Sequence, residues 1–108
     1  MSQTVRSPSL DAKLSTLSEP LRRHVVREVA DRTDRTGDAL AAGTLVPEAN
    51  GEHRKSTLVE LHHVHLPTLA ERGFVEWDAD EDAVRRGPAF EGLLSLLDTV
   101  ADHENDSR

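Results

Sequence analysis

The sequence predicts a mainly α-helical domain that carries one β-hairpin, and segment 57–77 supports most of that prediction. Its first part has side chains at the spacings of three and four that define one side of a helix. These side chains are Leu58, Leu61, His65 and Leu69. Arg72 and Gly73 are typical of a helix C-terminus, and the aromatic and β-branched residues 74–77 are typical of a strand. A polar turn at 78–82 and a second short strand follow, which is the order of a recognition helix followed by a wing.

The N-terminal part predicts two more helices. Residues 1–8 have no periodic pattern, and we expect them to be disordered. Ser7 or Ser9 can cap a first helix, and Ser18-Glu19-Pro20 can end it and begin a second, with Ser18 as the cap. The apolar stripes are Leu10, Leu14 and Leu17 in the first helix, and Leu21, Val25 and Val29 in the second. Off the second stripe lie Arg22, Arg23 and Arg27, which suit either a solvated face or phosphate contacts.

The middle of the chain predicts the remaining parts of a helix-turn-helix. Segment 38–45 is a candidate short helix, and a loop of about a dozen residues separates it from the main helix. Ser56 is the predicted cap of that main helix. Pro67 is expected to bend or break the helix near Leu66, with Leu66 and Leu69 held in the core.

A last helix is predicted over residues 88–103, after Gly87-Pro88, and the tail 104–108 is expected to be disordered. The apolar face of this helix is broader than packing on one small domain requires. We therefore predict that it dimerises the protein, as the C-terminal part of a single domain over residues 9–103. The predicted dimerisation residues are Phe90, Leu93, Leu94, Leu97 and Val100.

Composition narrows the classes of protein. There are 20 acidic and 13 basic residues, which give a net charge of −7, and the only lysines are Lys13 and Lys55. This balance favours a cytoplasm of very high salt, where an acidic surface is screened. A DNA-binding protein is usually basic, but counterion release drives little binding in molar salt. The chain has no cysteine, no apolar run that could span a membrane and no signal-peptide pattern, so we expect a cytoplasmic protein without disulfides.

Two segments resemble known DNA-binding families. His65-Leu66, Leu69 and residues 72–75 resemble the end of the recognition helix in arsenical-repressor-type (ArsR-like) winged-helix regulators. Segment 61–78, LHHVHLPTLAERGFVEWD, followed by 84–103, resembles a family of small haloarchaeal winged helix-turn-helix proteins. The resemblance implies a winged helix-turn-helix fold and a DNA-binding transcriptional regulator of a halophilic archaeon that acts as a homodimer.

This reading assigns candidate contacts with double-stranded DNA. His62 and His63 occupy the positions that would face base edges. The candidate phosphate contacts are Arg54, Lys55, Arg85 and Arg86. The acidic segment 78–82 suits a solvated hairpin turn better than a groove contact. An alternative function is a winged-helix protein-interaction module without DNA binding, which Glu60 and the acidic turn favour.

Other chemistry is not predicted. The spacing of His62, His63 and His65 spreads them around a helix, so we expect no metal site and interpret His65 as a core-edge histidine with one nitrogen hydrogen-bonded. The carboxylates are scattered, and neither a nucleophile elbow nor a phosphate-binding loop is present. We therefore expect neither enzymatic activity nor a cofactor.

Overall fold

The computed structural model describes residues 8–34, 37–46 and 51–106, which form a mainly helical fold with a small antiparallel sheet. The helices are α1 (Leu10–Leu17), α2 (Pro20–Arg32), α3 (Gly51–Glu60), α4 (Leu66–Glu71) and α5 (Phe90–Asp106). The strands are β1 (Leu40–Ala41), β2 (Val75–Asp78) and β3 (Ala83–Arg86). A 3₁₀ turn, Ala42–Leu45, follows β1, and a π-helical turn, Leu61–His65, joins α3 to α4. The predicted combination of helices with a β-hairpin is confirmed.

The predictions for the two ends of the chain agree with the structure only in part. Apart from Pro8, the segment expected to be disordered at 1–8 lies outside the described residues. Ser9 caps α1, since its hydroxyl accepts a hydrogen bond from the Ala12 N–H at 3.1 Å. Helix α5 continues to Asp106, beyond the predicted end at residue 103.

The predicted short helix over 38–45 is wrong for its first half, and only Ala42–Leu45 is helical, as a 3₁₀ turn. Leu40 and Ala41 instead pair antiparallel with Val84 and Ala83, which makes β1 the edge strand of a sheet in the order β1-β3-β2. The Ala42 N–H also donates to the Asp82 carbonyl at 2.8 Å. Leu40 and Ala41 are good helix formers, so their pairing with β3 prevails over local helix propensity.

The main helix begins earlier than predicted. Helix α3 starts at Gly51, so Ser56 lies inside the helix and does not cap it. Ahead of Pro67, the helix widens into the π turn, and the Leu66 N–H donates to the Leu61 carbonyl five residues back. Because a proline ring collides with the carbonyl four residues before it in an α-helix, the wider turn accommodates Pro67. Leu66 and Leu69 are fully buried, as predicted.

Glycines control how the helix leads into the hairpin. Gly73, with φ of +81°, follows α4, and its N–H donates to the Ala70 carbonyl while the Phe74 N–H donates to the Leu69 carbonyl. This pattern is a Schellman motif, and it turns the chain directly into β2. At the far end of the hairpin, Gly87 packs against the same segment, where a Cβ would lie 2.5 Å from the Gly73 carbonyl oxygen.

One hydrophobic core joins the helices to the sheet. Its largest fully buried members are Phe74, Phe90, Leu45, Leu61, Leu66, Leu69, Leu93 and Leu97, with Val25, Val26, Val29 and Val75. The inner side of the π turn packs against α2, and α4 packs against the hairpin, while α5 packs on α1 and α2. The opposite side of α3 and the π turn is left at the surface, beside the hairpin.

Candidate nucleic-acid interface

The surface of α3 and the π turn is the first part of the predicted interface. We call its exposed residues the exposed helix surface; they are His53, Lys55, Ser56, Val59, Glu60, His63 and Val64. Lys55 and His63 are therefore accessible, as a DNA contact requires. Val59 is 59% exposed and Val64 44% exposed, and Leu10 and Leu14 on α1 are exposed to a similar extent, at 60% and 44%.

His62 lies between this surface and the hairpin. Its Nδ1 is 2.9 Å from the Leu58 carbonyl oxygen, and its Nε2 is 3.0 and 2.9 Å from the two carboxylate oxygens of Asp82. The ring also lies 6.0 Å from the Trp77 ring, tilted by 52°. Because both ring nitrogens are occupied within the chain, the predicted base contact by His62 would require these hydrogen bonds to break.

Asp82 is the residue on the hairpin that holds this arrangement. Besides His62, its carboxylate accepts a hydrogen bond from Trp77 Nε1 at 3.1 Å. Its φ of +52° is in the left-handed region, which aspartate tolerates better than most residues. Burial raises the pKa of Asp82, but the hydrogen bonds from His62 and Trp77 and the charge of His62 outweigh burial and lower the pKa overall.

The rest of the hairpin turn agrees with the predicted solvated turn. Asp78, Asp80 and Glu81 are exposed. The Oδ1 of Asp78 accepts the backbone N–H groups of Asp80 and Glu81 at 3.0 and 3.2 Å, which is an Asx-type turn. The end of the hairpin therefore presents carboxylates to solvent.

Of the two arginines on β3, Arg86 does not belong to a DNA-contacting surface. Its side chain is only 12% exposed. The guanidinium donates to the Thr33 hydroxyl at 2.8 Å, to the Thr33 carbonyl at 2.6 Å and to the Ala30 carbonyl at 3.3 Å. It also pairs with Glu91 at 2.5 Å and stacks 4.9 Å from the Phe90 ring centroid. The predicted phosphate contact by Arg86 is corrected accordingly: Arg86 joins β3 to the C-terminal end of α2.

Arg85 and Arg54 differ from Arg86. Arg85 is half-buried and stands directly opposite Glu76 in the β2–β3 ladder. Arg54 donates to the Gly43 carbonyl at 3.1 Å and to the Val46 carbonyl at 3.5 Å, so it ties α3 to the 3₁₀ turn. Of the predicted phosphate contacts, Lys55 is exposed, and the half-buried Arg85 has no side-chain hydrogen bond to another described residue.

The prediction that His65 is a core-edge residue is confirmed. It is 4% exposed, and its Nδ1 accepts a hydrogen bond from Arg22 Nε at 3.0 Å. Burial lowers the pKa of His65, and the positive charge of Arg22 lowers it further, so the ring stays neutral and can accept this bond. Arg22 therefore supports the helix from inside, which is neither of the two roles considered for the arginines of α2.

The predicted dimerisation face divides into two groups. Phe90, Leu93 and Leu97 are at most 1% exposed and pack inside the core of one chain, so they are not at a surface where a second copy could reach them. Leu94 and Val100 are half-buried, as is Leu96. The apolar face is broad because much of it packs on α2 and the hairpin, and a smaller strip remains for contact with another molecule.

Within residues 8–34, 37–46 and 51–106, no group of three or more histidine or acidic side chains could hold a metal ion. The same part of the chain contains no helix with both the length and the apolar character to cross a membrane.

Sequence reasoning missed the residues that organise this surface. Asp82 lies 20 residues from His62, and Arg22 lies 43 residues from His65. Periodicity reports only neighbours on one helix or strand, so it contains no signal for such pairs. Trp77 was recognised only as a strand residue, although a tryptophan at a half-buried position usually requires a partner for its N–H.

The comparison with protein families gives one result. The model described as "Domain of unknown function (DUF7344)" matches residues 14–85, two thirds of the chain, and the chain belongs to that family. The match runs from within α1 into β3, so it includes α3, the π turn, α4 and most of the hairpin. Comparisons with curated proteins and with solved structures gave no match.

Proposed function

We propose that this protein is a winged helix-turn-helix transcriptional regulator that binds double-stranded DNA. The observation that supports this proposal best is the single unit formed by α3, the π turn, α4 and the β2–β3 hairpin. Its inner side is buried in the core, whereas its outer side exposes Lys55 and His63 next to the hairpin. A helix presented in this way has the shape required to enter a major groove, with a wing beside it.

The proposed contacts are fewer than the sequence predicts. His63 would face base edges, and Lys55 and Arg85 would contact phosphates. Exposed acids surround them, among them Glu60 and the end of the hairpin. Repulsion between these acids and DNA is weakened in molar salt, where the Debye length falls to about 3 Å. We therefore propose that the protein acts in the cytoplasm of a halophilic archaeon.

Dimerisation is the second part of the proposal. A homodimer would place two such helices in successive major grooves, one turn of duplex apart. The half-buried strip on α5 that includes Leu94, Leu96 and Val100 is the proposed contact between the copies. Replacing Leu96 by glutamate is expected to give monomers that keep their helical circular dichroism. If the native protein already sediments as a monomer at micromolar concentration in high salt, the homodimer is refuted.

The test of DNA binding is selection of bound duplexes from a randomised pool in molar potassium chloride. We expect enrichment of an inverted repeat. K55Q should weaken binding to all duplexes alike and reduce the salt slope by about one, whereas H63Q should relax sequence preference by about 1 kcal/mol. K13Q is the matched control, because Lys13 is the other lysine and lies on α1, beside Gly92 of α5. An unenriched pool with folded protein would refute DNA recognition.

One observation favours a second function, a protein-interaction module. Val59 and Val64 are exposed apolar side chains on the surface that DNA would occupy, and Glu60 lies between them in the sequence. Apolar residues surrounded by acids suit a protein partner better than phosphates. In the selection experiment, this function predicts no enriched duplex for the native protein or for K55Q.

A further inference from the structure

We propose that His62, Trp77 and Asp82, the His62 cluster, form a proton-controlled contact that fixes the hairpin turn against the π turn. This contact would regulate the surface described above: with His62 protonated, the turn is held, and with His62 neutral, it is released. The inference about the turn stands on contacts within the chain. Only its consequence for DNA rests on the proposed function.

Only a doubly protonated ring satisfies both hydrogen-bond contacts of His62. Nδ1 faces a backbone carbonyl oxygen, that of Leu58, and Nε2 faces the Asp82 carboxylate, so both neighbours are acceptors. A neutral imidazole has one N–H and one lone pair, and it can satisfy only one of them. Deprotonation therefore turns one of these contacts into a repulsion between a lone pair and an oxygen. The imidazolium satisfies both and adds a charge-assisted bond to the carboxylate.

The electrostatic surroundings act in the same direction. Burial lowers the pKa of His62, but the hydrogen bond to Asp82, the contact with Leu58 and the Asp82 charge outweigh it, so the pKa is raised above its ordinary value of 6.5. The charged groups near His62 on its own helix are Glu60 and His63. The hairpin presents Asp82, with Asp78, Asp80 and Glu81 on the same turn, whereas α2 directs Arg22 to His65. Of these acids, Asp82 is the one shown in contact with His62.

The cluster is connected to the backbone of the sheet. Asp82 uses its side chain for His62 and Trp77, and its carbonyl accepts the Ala42 N–H at 2.8 Å. The positive φ of Asp82 is costly unless such contacts hold it. Loss of the imidazolium removes one of them, so the turn and its bond to Ala42 should open more often. On the proposed function, the wing would then be less fixed beside the helix, and DNA affinity would fall as pH rises.

The test uses the only tryptophan in the chain as the reporter. Trp77 fluorescence is followed as a function of pH in molar potassium chloride without DNA, and hydrogen exchange of the Ala42 N–H is followed under the same conditions. We expect a fluorescence transition with a midpoint above 6.5 and an increase in Ala42 opening across it, beyond the normal base catalysis of exchange. H62Q should abolish both changes. In D82N the His62 ring still titrates beside Trp77, so the fluorescence midpoint should move down toward 6.5, and the change in Ala42 opening should be lost. Asparagine tolerates positive φ as aspartate does, so D82N removes the charge without straining the turn.

H63Q is the matched control, because His63 is the exposed neighbour of His62 and should leave the transition unchanged. A transition that survives in H62Q, or a midpoint at or below 6.5, would overturn the proposal. Two-dimensional NMR of the histidine rings provides a second measurement: both nitrogens of His62 should carry protons below the midpoint. These results do not depend on DNA, so the cluster can be supported even if the selection experiment fails, and refuted even if it succeeds.

Discussion

Arg86 provides the sharpest test of the distinction between a DNA contact and a structural residue. Its guanidinium donates to two carbonyls at the C-terminal end of α2, those of Ala30 and Thr33, and to the Thr33 hydroxyl. Carbonyls at a helix C-terminus have no partners within the helix, and a cation there also interacts favourably with the helix dipole. Replacement by methionine would keep most of the side-chain volume and remove these donors.

The loss of stability expected for R86M comes from the groups that Arg86 would leave without a partner. Thr33 is 3% exposed, so its carbonyl would lose its partner in a site with little water, at about 1–3 kcal/mol. The lost stacking on Phe90 adds about 0.5–2 kcal/mol, and the pair with the well-exposed Glu91 adds little. We expect R86M to destabilise the protein by about 1.5–5 kcal/mol, within a total stability of about 5–15 kcal/mol.

Urea unfolding in molar potassium chloride, followed by circular dichroism, measures this loss. R85M is the matched control, since Arg85 is the preceding residue on the same strand, is also half-buried, and has no side-chain hydrogen bond to another described residue. Its change should stay within about 0.5 kcal/mol. R86K should lie between the two, because it retains the charge with a less suitable geometry. If R86M unfolds within about 1 kcal/mol of the native protein, the structural role of Arg86 is refuted.

Three further predictions concern pH, packing and salt. The pKa of His65 is lower in the folded protein than in the unfolded chain, so the unfolded chain binds more protons below pH 6.5. The contribution of His65 to stability is therefore complete above that pH and falls as pH decreases. In urea titrations, H65Q should lose less stability than the native protein between about pH 7.5 and pH 5. G87A should cost several kcal/mol, since its Cβ would meet the backbone of Gly73 at 2.5 Å, whereas G43A has nothing within 4 Å and should change stability by less than about 1 kcal/mol. With a net charge of −7, the melting temperature should rise from millimolar to molar potassium chloride; a flat profile would contradict this expectation.

The sequence predicted those parts of the fold that depend on neighbouring residues. Ser9, Pro20 and Gly73 mark helix boundaries through local hydrogen bonding and backbone preference, and the structure has boundaries at all three. The segment around Leu40 was mistaken for a helix because its strand pairing depends on Val84, 44 positions along the chain. Local propensity contains no record of such a distant partner.

The candidate site was predictable to the same limited extent. Exposure of Lys55 and His63 follows from their positions off the apolar stripe of the helix. The hydrogen bonds that occupy the side chains of His62 and Arg86 do not follow from the sequence pattern, because each side chain is held by residues of another element. A cation or a histidine on a predicted surface therefore identifies a candidate, and only its partners in three dimensions decide whether it is available.

The π turn has a consequence for how this helix can change in length. One residue more than an α-helix needs is accommodated between Glu60 and Leu66, and each residue rotates an α-helix by about 100°. Deleting Val64, which is 44% exposed, would convert the turn to ordinary helix without rotating Leu61 or Leu69 out of the core, provided that Pro67 is replaced by alanine in the same variant. The helix therefore contains a position where the loss of one residue is absorbed locally. The helical segments before and after this position keep their orientation toward the core when the length changes.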